Sequence, residues 1–342
     1  MKNRKDDETM ATIGYSQTMS DLRKYLTPQG AIDRVMEVLN ESNPIMEDIR
    51  WMEGDLPIGT KTTIRASLPS PSIRRINRGT SPTKGTVKQR IDVCMHLEDR
   101  SCVDVELLSG KPNPQAFRMA EDDAHVEGMG QYVARQFLYG NLDEDPDTFN
   151  GIAVRYNTLT DGGKGTPGHQ VISAGTPGTN TNASIYFVDW GDRRVMGVYP
   201  KGTQAGLKTE DLGESDVYDE HNKPFRALQT LYSWKCGLAV QNVRSIVRVC
   251  NIDVQKLNSL TDSAQRELMN KFIFAKNRLQ DPKAPVAYVS DGVYSWLECY
   301  LNNKNNVHVT RQDFMDAPPK LYLAGIQIKK LDCQSETEAA VQ

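Results

Sequence analysis

The residues of this 342-residue chain best suited to chemistry are its histidines, its cysteines and a set of carboxylates beside glycines. The histidines are His96, His125, His169, His221 and His308. No two stand three or four residues apart, the spacing that puts a metal-binding pair on one helix face. Cys94, Cys102, Cys236, Cys250, Cys299 and Cys333 contain no CxxC pair. Thiols scattered in this way read as reduced and structural. Gly162 to Thr166, GGKGT, has the look of a phosphate loop. Such a loop needs Ser or Thr after the lysine and a helix beyond it. Here Gly165 follows Lys164 and no helical pattern follows, so a flexible loop is expected. There is no GxSxG and no HExxH. DWGD (Asp189 to Asp192) and DLGESD (Asp211 to Asp216) could supply a general acid and base. Acids beside glycines more often make turns.

Charge gives a stronger signal than catalytic motifs do. Lys and Arg total 41, Asp and Glu 44, for a net charge of −3, which excludes a polybasic protein. The distribution is nevertheless uneven. Between Leu56 and Ile91 lie Lys61, Arg65, Arg74, Arg75, Arg78, Lys84, Lys88 and Arg90, with no acid among them. The same stretch has no aromatic residue, so it offers no stacking platform for single-stranded nucleic acid. Phosphate contact remains open to it. So does pairing with the acids Glu121, Asp122, Asp123, Glu127, Asp143, Glu144, Asp145 and Asp147 on another copy of the chain.

The elements that position these groups follow from hydrophobic spacing. Hydrophobic residues are 38% and mean hydropathy is −0.55, which suits a subunit with much surface. No run approaches the ~20 apolar residues of a bilayer span. MKNRKDDETM lacks the apolar core of a signal peptide. Residues 1–18 are polar and expected to be mobile. Helical spacing from Ser20 to Trp51 (Leu22, Leu26, Ile32, Val35, Met36, Leu39) predicts two short helices, Thr27 and Pro28 opening the second. Alternation over 59–107 around a Gly/Pro/Ser-rich centre predicts a long β-hairpin. Asn113-Pro114 opens a helix to Tyr139, its apolar stripe read as Phe117, Ala120, Ala124, Val126, Met129, Val133 and Phe137. Residues 150–235 read as loop-rich β-structure with strands at 185–190 and 195–199, and Leu238 to Val254 as a longer strand-like run. Ser263 to Leu279 and Ser290 to Leu301 read as helices, and 307–309 and 321–329 as closing strands. The polar residues from Asp332 read as a disordered tail.

This order of parts resembles the Hong Kong ninety-seven phage capsid fold, an α+β architecture. Three segments are similar to one branch of tailed-phage capsid proteins, that of the epsilon fifteen phage. They are WMEGDLPIGTKTTIRASLPSPSIRRINRGTSPTKG (Trp51 to Gly85), FVDWGDRRVMGVYPKGTQAGLKTEDLGE (Phe187 to Glu214) and WKCGLAVQNVRSIVRVCNID (Trp234 to Asp253). The resemblance implies an N-arm over 1–52, an extended loop over 53–106 and a peripheral domain with the spine helix over 107–149. It also implies an axial domain over 150–306, closing strands of the peripheral domain over 307–331 and a flexible tail over 332–342. It implies a major capsid protein that assembles with itself as hexamers and pentamers into an icosahedral head, without catalytic site, cofactor or metal. The partners it implies are packaged double-stranded DNA bound non-specifically, a portal, a separate scaffolding protein and a decoration or cement protein, with no membrane. Its place is the virion capsid, assembled in the host bacterial cytoplasm. In the fold family the extended loop lies across an adjacent subunit near its spine helix. Contacts between Arg65, Arg74, Arg75, Arg78 or Lys84 and Glu121, Asp122, Asp123, Asp143, Glu144, Asp145 or Asp147 of neighbours are therefore expected. An encapsulin-type shell, a β-rich enzyme and a DNA-binding protein are the alternatives.

Overall fold

The computed structural model describes residues 43–108, 114–218, 221–301, 309–312 and 320–342. The expected mobile start and most of the N-arm lie outside them. The chain divides into two compact units. One contains Leu97–Gly130 and Leu207–Trp234, and the other contains Glu41–His96, Gln131–Gly206 and Lys235–Gln342.

The elements run as follows: α1 (Ile45–Asp48), β1 (Trp51–Glu53), β2 (Gly59–Ser67), β3 (Thr86–Asp104), α2 (Val105–Leu108), α3 (Pro114–Tyr139) and α4 (Ile152–Arg155). There follow β4 (Val171–Ser173), β5 (Asn182–Asp189), β6 (Val195–Tyr199), β7 (Leu207–Tyr218), β8 (Pro224–Val240) and β9 (Ile246–Asp253). The last are α5 (Val254–Leu257), α6 (Asp262–Arg278), β10 (Pro285–Val289), α7 (Asp291–Tyr300), β11 (Val309–Gln312), β12 (Lys320–Leu323) and β13 (Ile326–Lys330).

The second unit is built on a mixed sheet of order β11-β12-β13-β10-β5-β9-β4. Its central strands β5 and β9 are buried along nearly their whole length because both their faces are covered. On one face Ile185, Phe187, Val247 and Val249 pack with Leu268, Met269 and Phe272 of α6 and Val293, Trp296 and Leu297 of α7. A second sheet has the order β1-β6-β8-β3-β2. In it β2 pairs with β3 antiparallel from Gly59↔Val93 to Ser67↔Thr86, which is the expected hairpin. Within the first unit β7 pairs with β8 from Leu207↔Trp234 to Tyr218↔Pro224.

Several expectations are corrected. The closing strands, expected in the peripheral domain, share a sheet with strands of 150–306. β13 lies parallel to β10, Val286 opposite Gln327, so β11 to β13 complete the same sheet as β5 and β9. The run from Leu238 to Val254 is two strands of different sheets, broken at Gln241–Ser245. On α3 the buried face is set by Met129, Val133, Ala134, Phe137 and Leu138. Ala124 and Val126 of the expected stripe fall on the exposed side. Trp51 does not end a helix; it starts β1, opposite Gly197 of β6, with its ring edge-on to Phe137.

The largest correction concerns residues 332–342, which pack into the second unit. Glu338 is buried and pairs with Arg248 of β9 at 2.7 Å. The Tyr139 and Tyr186 hydroxyls donate to Glu338 Oε1 at 2.7 and 2.9 Å, and the Ser184 hydroxyl donates to Oε2. Arg248 also donates to Ser184 Oγ at 3.0 Å and to the carbonyls of Ala153 and Tyr156 at 3.1 and 3.0 Å. Its guanidinium stands 5.4 Å from the centre of the Tyr186 ring. Burial works against the charge of Arg248, but Tyr186 and Glu338 outweigh it and its pKa stays raised. Asn251 and Val341 bond reciprocally, each at 2.9 Å. A polar segment is buried here because its carboxylate and the backbone at Val341 meet partners.

Removing one member of a buried ion pair leaves the other uncompensated, at a cost of ~3–5 kcal/mol. Glu338→Ala is expected to destabilise the unassembled subunit by about that amount, read as a lower urea midpoint. An unchanged midpoint would show that residues 332–342 are not part of the folded core.

Candidate functional site

The hairpin has a fixed base and an open tip. Alternation along β2 turns Thr60 and Thr62 inward and Lys61, Thr63 and Arg65 outward. At the base, Gly59 has φ +151°, and a Cβ on it would lie 2.1 Å from the Asp92 carbonyl oxygen, so the close approach of β2 to β3 requires glycine. Beyond the irregularity between Arg65 and Ser67, residues 68–85 form no regular secondary structure. The tip exposes its apolar residues too: Ile73 is 96% and Ile76 91% accessible. Arg65, Arg74, Arg75, Arg78 and Lys84 are all exposed. Arg74 Nε donates to the Arg78 carbonyl at 3.3 Å.

The base is held by a cluster that local sequence patterns do not reveal. Asp92 is buried on β3 and lies between two arginines. Arg155 Nη1 donates to its Oδ1 at 2.7 Å, and Arg90 Nε is 3.2 Å from the same oxygen. Arg155 also donates to the carbonyls of Asn150 at 2.7 Å and Leu238 at 3.0 Å, and Arg90 donates to the Val240 carbonyl. The hairpin is thereby tied to α4 and to the end of β8. Burial lowers the pKa of Arg155, and Asp92 acts against that shift. Asp92 and Arg155 are far apart in sequence, so no spacing rule announces the pair.

The expected acidic partners separate into two groups. In the first unit Glu121 is buried, because it stands on the α3 face that continues through His125 to Met129. Asp122 accepts a hydrogen bond from the Tyr232 hydroxyl. Only Asp123 of the three is exposed. In the second unit Asp143, Glu144, Asp145 and Asp147 are all exposed on a turn. Its shape is fixed locally: Asn141 Oδ1 accepts from the Asp143 amide at 3.1 Å and Asp145 Oδ1 from the Asp147 amide at 3.0 Å. Among the described residues, no ion pair joins any of the five hairpin bases to any of these acids.

Two of the carboxylates weighed for acid–base work, Asp189 and Asp211, are engaged in structure. Asp189 is buried, pairs with Arg194 and accepts from the amides of Lys283 and Ala284. Asp211 pairs with Arg118 at 3.1 Å; that contact and the Gly213 amide hold its carboxyl below the usual range. A contact absent from the sequence reading joins His125 to Asp99 at 2.6 Å, with the imidazole stacked on Tyr232. Among the described residues, no group of three or more His, Cys, Asp and Glu is placed to hold a metal ion.

The fold defines the class of protein. A chain in the near-atomic structure of bacteriophage Epsilon15 is 29% identical, with a TM-score of 0.73, over 97% of this chain and 99% of that one. The capsid of bacteriophage JBD30 is 8% identical, with a TM-score of 0.51, over 87% of this chain and 93% of that one, a likeness of fold alone. The SrpI encapsulin of Synechococcus elongatus is more distant: 13% identity and a TM-score of 0.39, over 69% of this chain and 96% of that one. No curated protein matches the sequence. The molecule is a tailed-phage capsid subunit of the Hong Kong ninety-seven fold, on the Epsilon15 branch. Residues 27–342 match the family described as Major capsid protein GP7, and the chain belongs to that family. It is a structural protein of the virion capsid, and copies of it self-assemble.

Two predictions follow from the hairpin base. Asp92→Ala leaves Arg155 buried without its carboxylate, and a loss of ~3–5 kcal/mol is expected in denaturant unfolding; a loss below ~1 kcal/mol would show the cluster to be peripheral. The thiols give the second. Burial, with Asp92 adding to it, pushes Cys94 up to about 12, and burial pushes Cys250 up to about 11. A raised pKa leaves less thiolate at pH 8, so both should react slowly with Ellman's reagent until the chain unfolds. Cys299 is exposed and should react ahead of them. Equal rates for Cys94 and Cys299 in the folded protein would contradict the packing described.

Proposed function

We propose that this capsid protein forms hexamers and pentamers that close into an icosahedral head around double-stranded DNA. The basic hairpin tip of one copy meets the acidic surface of its neighbours. The observation that carries this reading is the pair of exposed, oppositely charged surfaces, neither satisfied by the other within the described chain. Arg74, Arg75, Arg78 and Lys84 stand on the tip, with Arg65 on the arm below. Asp143, Glu144, Asp145, Asp147 and Asp123 are the acids that remain available. Glu121 and Asp122 drop out of the expected set, one buried and the other committed to Tyr232.

Exposed ion pairs contribute ~0–1 kcal/mol each. Bidentate arginine–carboxylate pairs that lose water on contact contribute more. A closed lattice repeats every contact, so weak pairs still fix geometry. The family supports the remaining partners: a separate scaffolding protein, a portal, a decoration or cement protein and non-specifically bound DNA, with assembly in the host bacterial cytoplasm.

Electron microscopy of the protein expressed alone and with its neighbouring phage genes tests the reading. Closed shells or ring-shaped capsomers are expected, and a homogeneous monomer under both conditions would overturn it. Arg75→Glu should abolish closed shells while leaving the unfolding midpoint of the free subunit unchanged. Normal shells from that variant would remove the tip from the contact.

A further inference from the structure

The turn DWGDRR between β5 and β6 holds an arginine in a conformation that arginine rarely adopts. Arg193 has φ +58°, in the left-handed region that favours glycine. The Arg194 amide donates to the Gly191 carbonyl at 3.1 Å, which puts Arg193 at the turn position where Gly or Asn is usual. Arg193 is exposed, and among the described residues its guanidinium has no hydrogen-bond or ion-pair partner. No contact of that side chain within the described chain offsets the strained backbone. Strain of this kind gathers at ligand sites.

Arg193 lines a pocket of about 720 Å³ together with Arg50, which precedes β1, and Lys283, which precedes β10. Both are exposed, and their side chains too are without a partner among the described residues. Asp189 fixes two sides of the pocket at once. Its carboxylate pairs with Arg194 on the turn and accepts from the Lys283 and Ala284 amides at 3.3 and 3.1 Å. Arg194 also donates to the Asp281 carbonyl at 2.7 Å. Three bases from distant parts of the chain therefore stand around one pocket before any ligand arrives. Asp192 and Asp281 line it as well, so three unpaired bases against two acids leave a surplus of one positive charge, Arg194 being set against Asp189. We propose that this pocket takes phosphate groups of a nucleic-acid backbone, those of the DNA that the head encloses. The inference rests on the function proposed above and adds a site to it. A guanidinium fork matches two phosphate oxygens, which suits Arg50 and Arg193 to the task. Contacts to the backbone alone carry no sequence preference.

Titration of a short fluorescent DNA duplex with the unassembled subunit, repeated over a range of salt, tests it. The slope of log affinity against log salt changes by about 0.9 for each phosphate neutralised. Arg193→Gly should make the slope shallower by about 0.9, and Arg193→Gly with Lys283→Gln by about 1.8. The unfolding midpoint of Arg193→Gly should be no lower than that of the unaltered chain, because glycine suits φ +58°. An unaltered chain that does not bind the duplex, or a slope that both variants leave unchanged, would overturn the proposal. So would a slope lost in Arg75→Gln at the hairpin tip and kept in Arg193→Gly. Binding of inorganic phosphate without binding of the duplex would assign the pocket to a free ion and overturn it too. A second test uses DNA-filled heads. In a Cys299→Ser background, Arg193→Cys is labelled with a photoactivated aryl azide, and illumination should join DNA to the protein. Adducts to a neighbouring copy without DNA would assign Arg193 to a subunit contact and overturn the proposal. Shells of the unaltered chain that never enclose DNA would retire the function proposed above, while the duplex titration would still decide the pocket.

Discussion

The buried guanidinium of Arg248 is the constraint on which the second unit depends. A charge in the middle of a sheet is costly to desolvate and is tolerated only where partners surround it. Those partners come from parts of the chain far apart in sequence: Ser184 of β5, the carbonyls of α4 and the turn after it, and Glu338 beyond β13. Tyr139, at the end of α3, reaches the same carboxylate. Each segment has to arrive for the charge to be satisfied. The cluster thus selects one arrangement of the sheet over others with similar apolar burial.

The hairpin repeats this logic at one end and abandons it at the other. Asp92, Arg90 and Arg155 fix the base through contacts that leave little freedom. Beyond Ser67 the chain has almost no internal bonding, and its charged and apolar groups face outward. The base is fixed by buried contacts, while the tip is exposed along its whole length. The low mean hydropathy belongs to the same design, since a subunit of a shell keeps much of its contact surface for other copies.

Local pattern made some of this legible and sheet membership made the rest obscure. Pro114 and the spacing of Met129, Val133 and Phe137 located α3, because helix starts and helical periodicity are local properties. The hairpin was readable from alternation on either side of a turn-rich centre. The sheet that 307–331 joins was not legible, because β10 and β13 are joined by parallel pairing and nothing in either strand names its neighbour. Residues 332–342 looked disordered because QSETEAA is polar; the partners that bury Glu338 lie far upstream in sequence. The expected acidic face lost Glu121 for a related reason. Glu121 lies about two turns before the buried Met129 on the same side of the helix, and the acidic run Glu121 to Asp123 gives no sign of which acid is covered.

The position of Glu338 along the chain also makes the central sheet depend on a residue beyond its last strand. Translation delivers β5, α4 and β9 early and the carboxylate that completes their cluster late. A polypeptide interrupted after β13 would hold most of its sheet and an uncompensated charge at the centre of it. Such a fragment would be disfavoured in the compact state before it could meet other copies. Placing a core partner after the last strand ties the charge balance of the sheet's centre to residues 332–342.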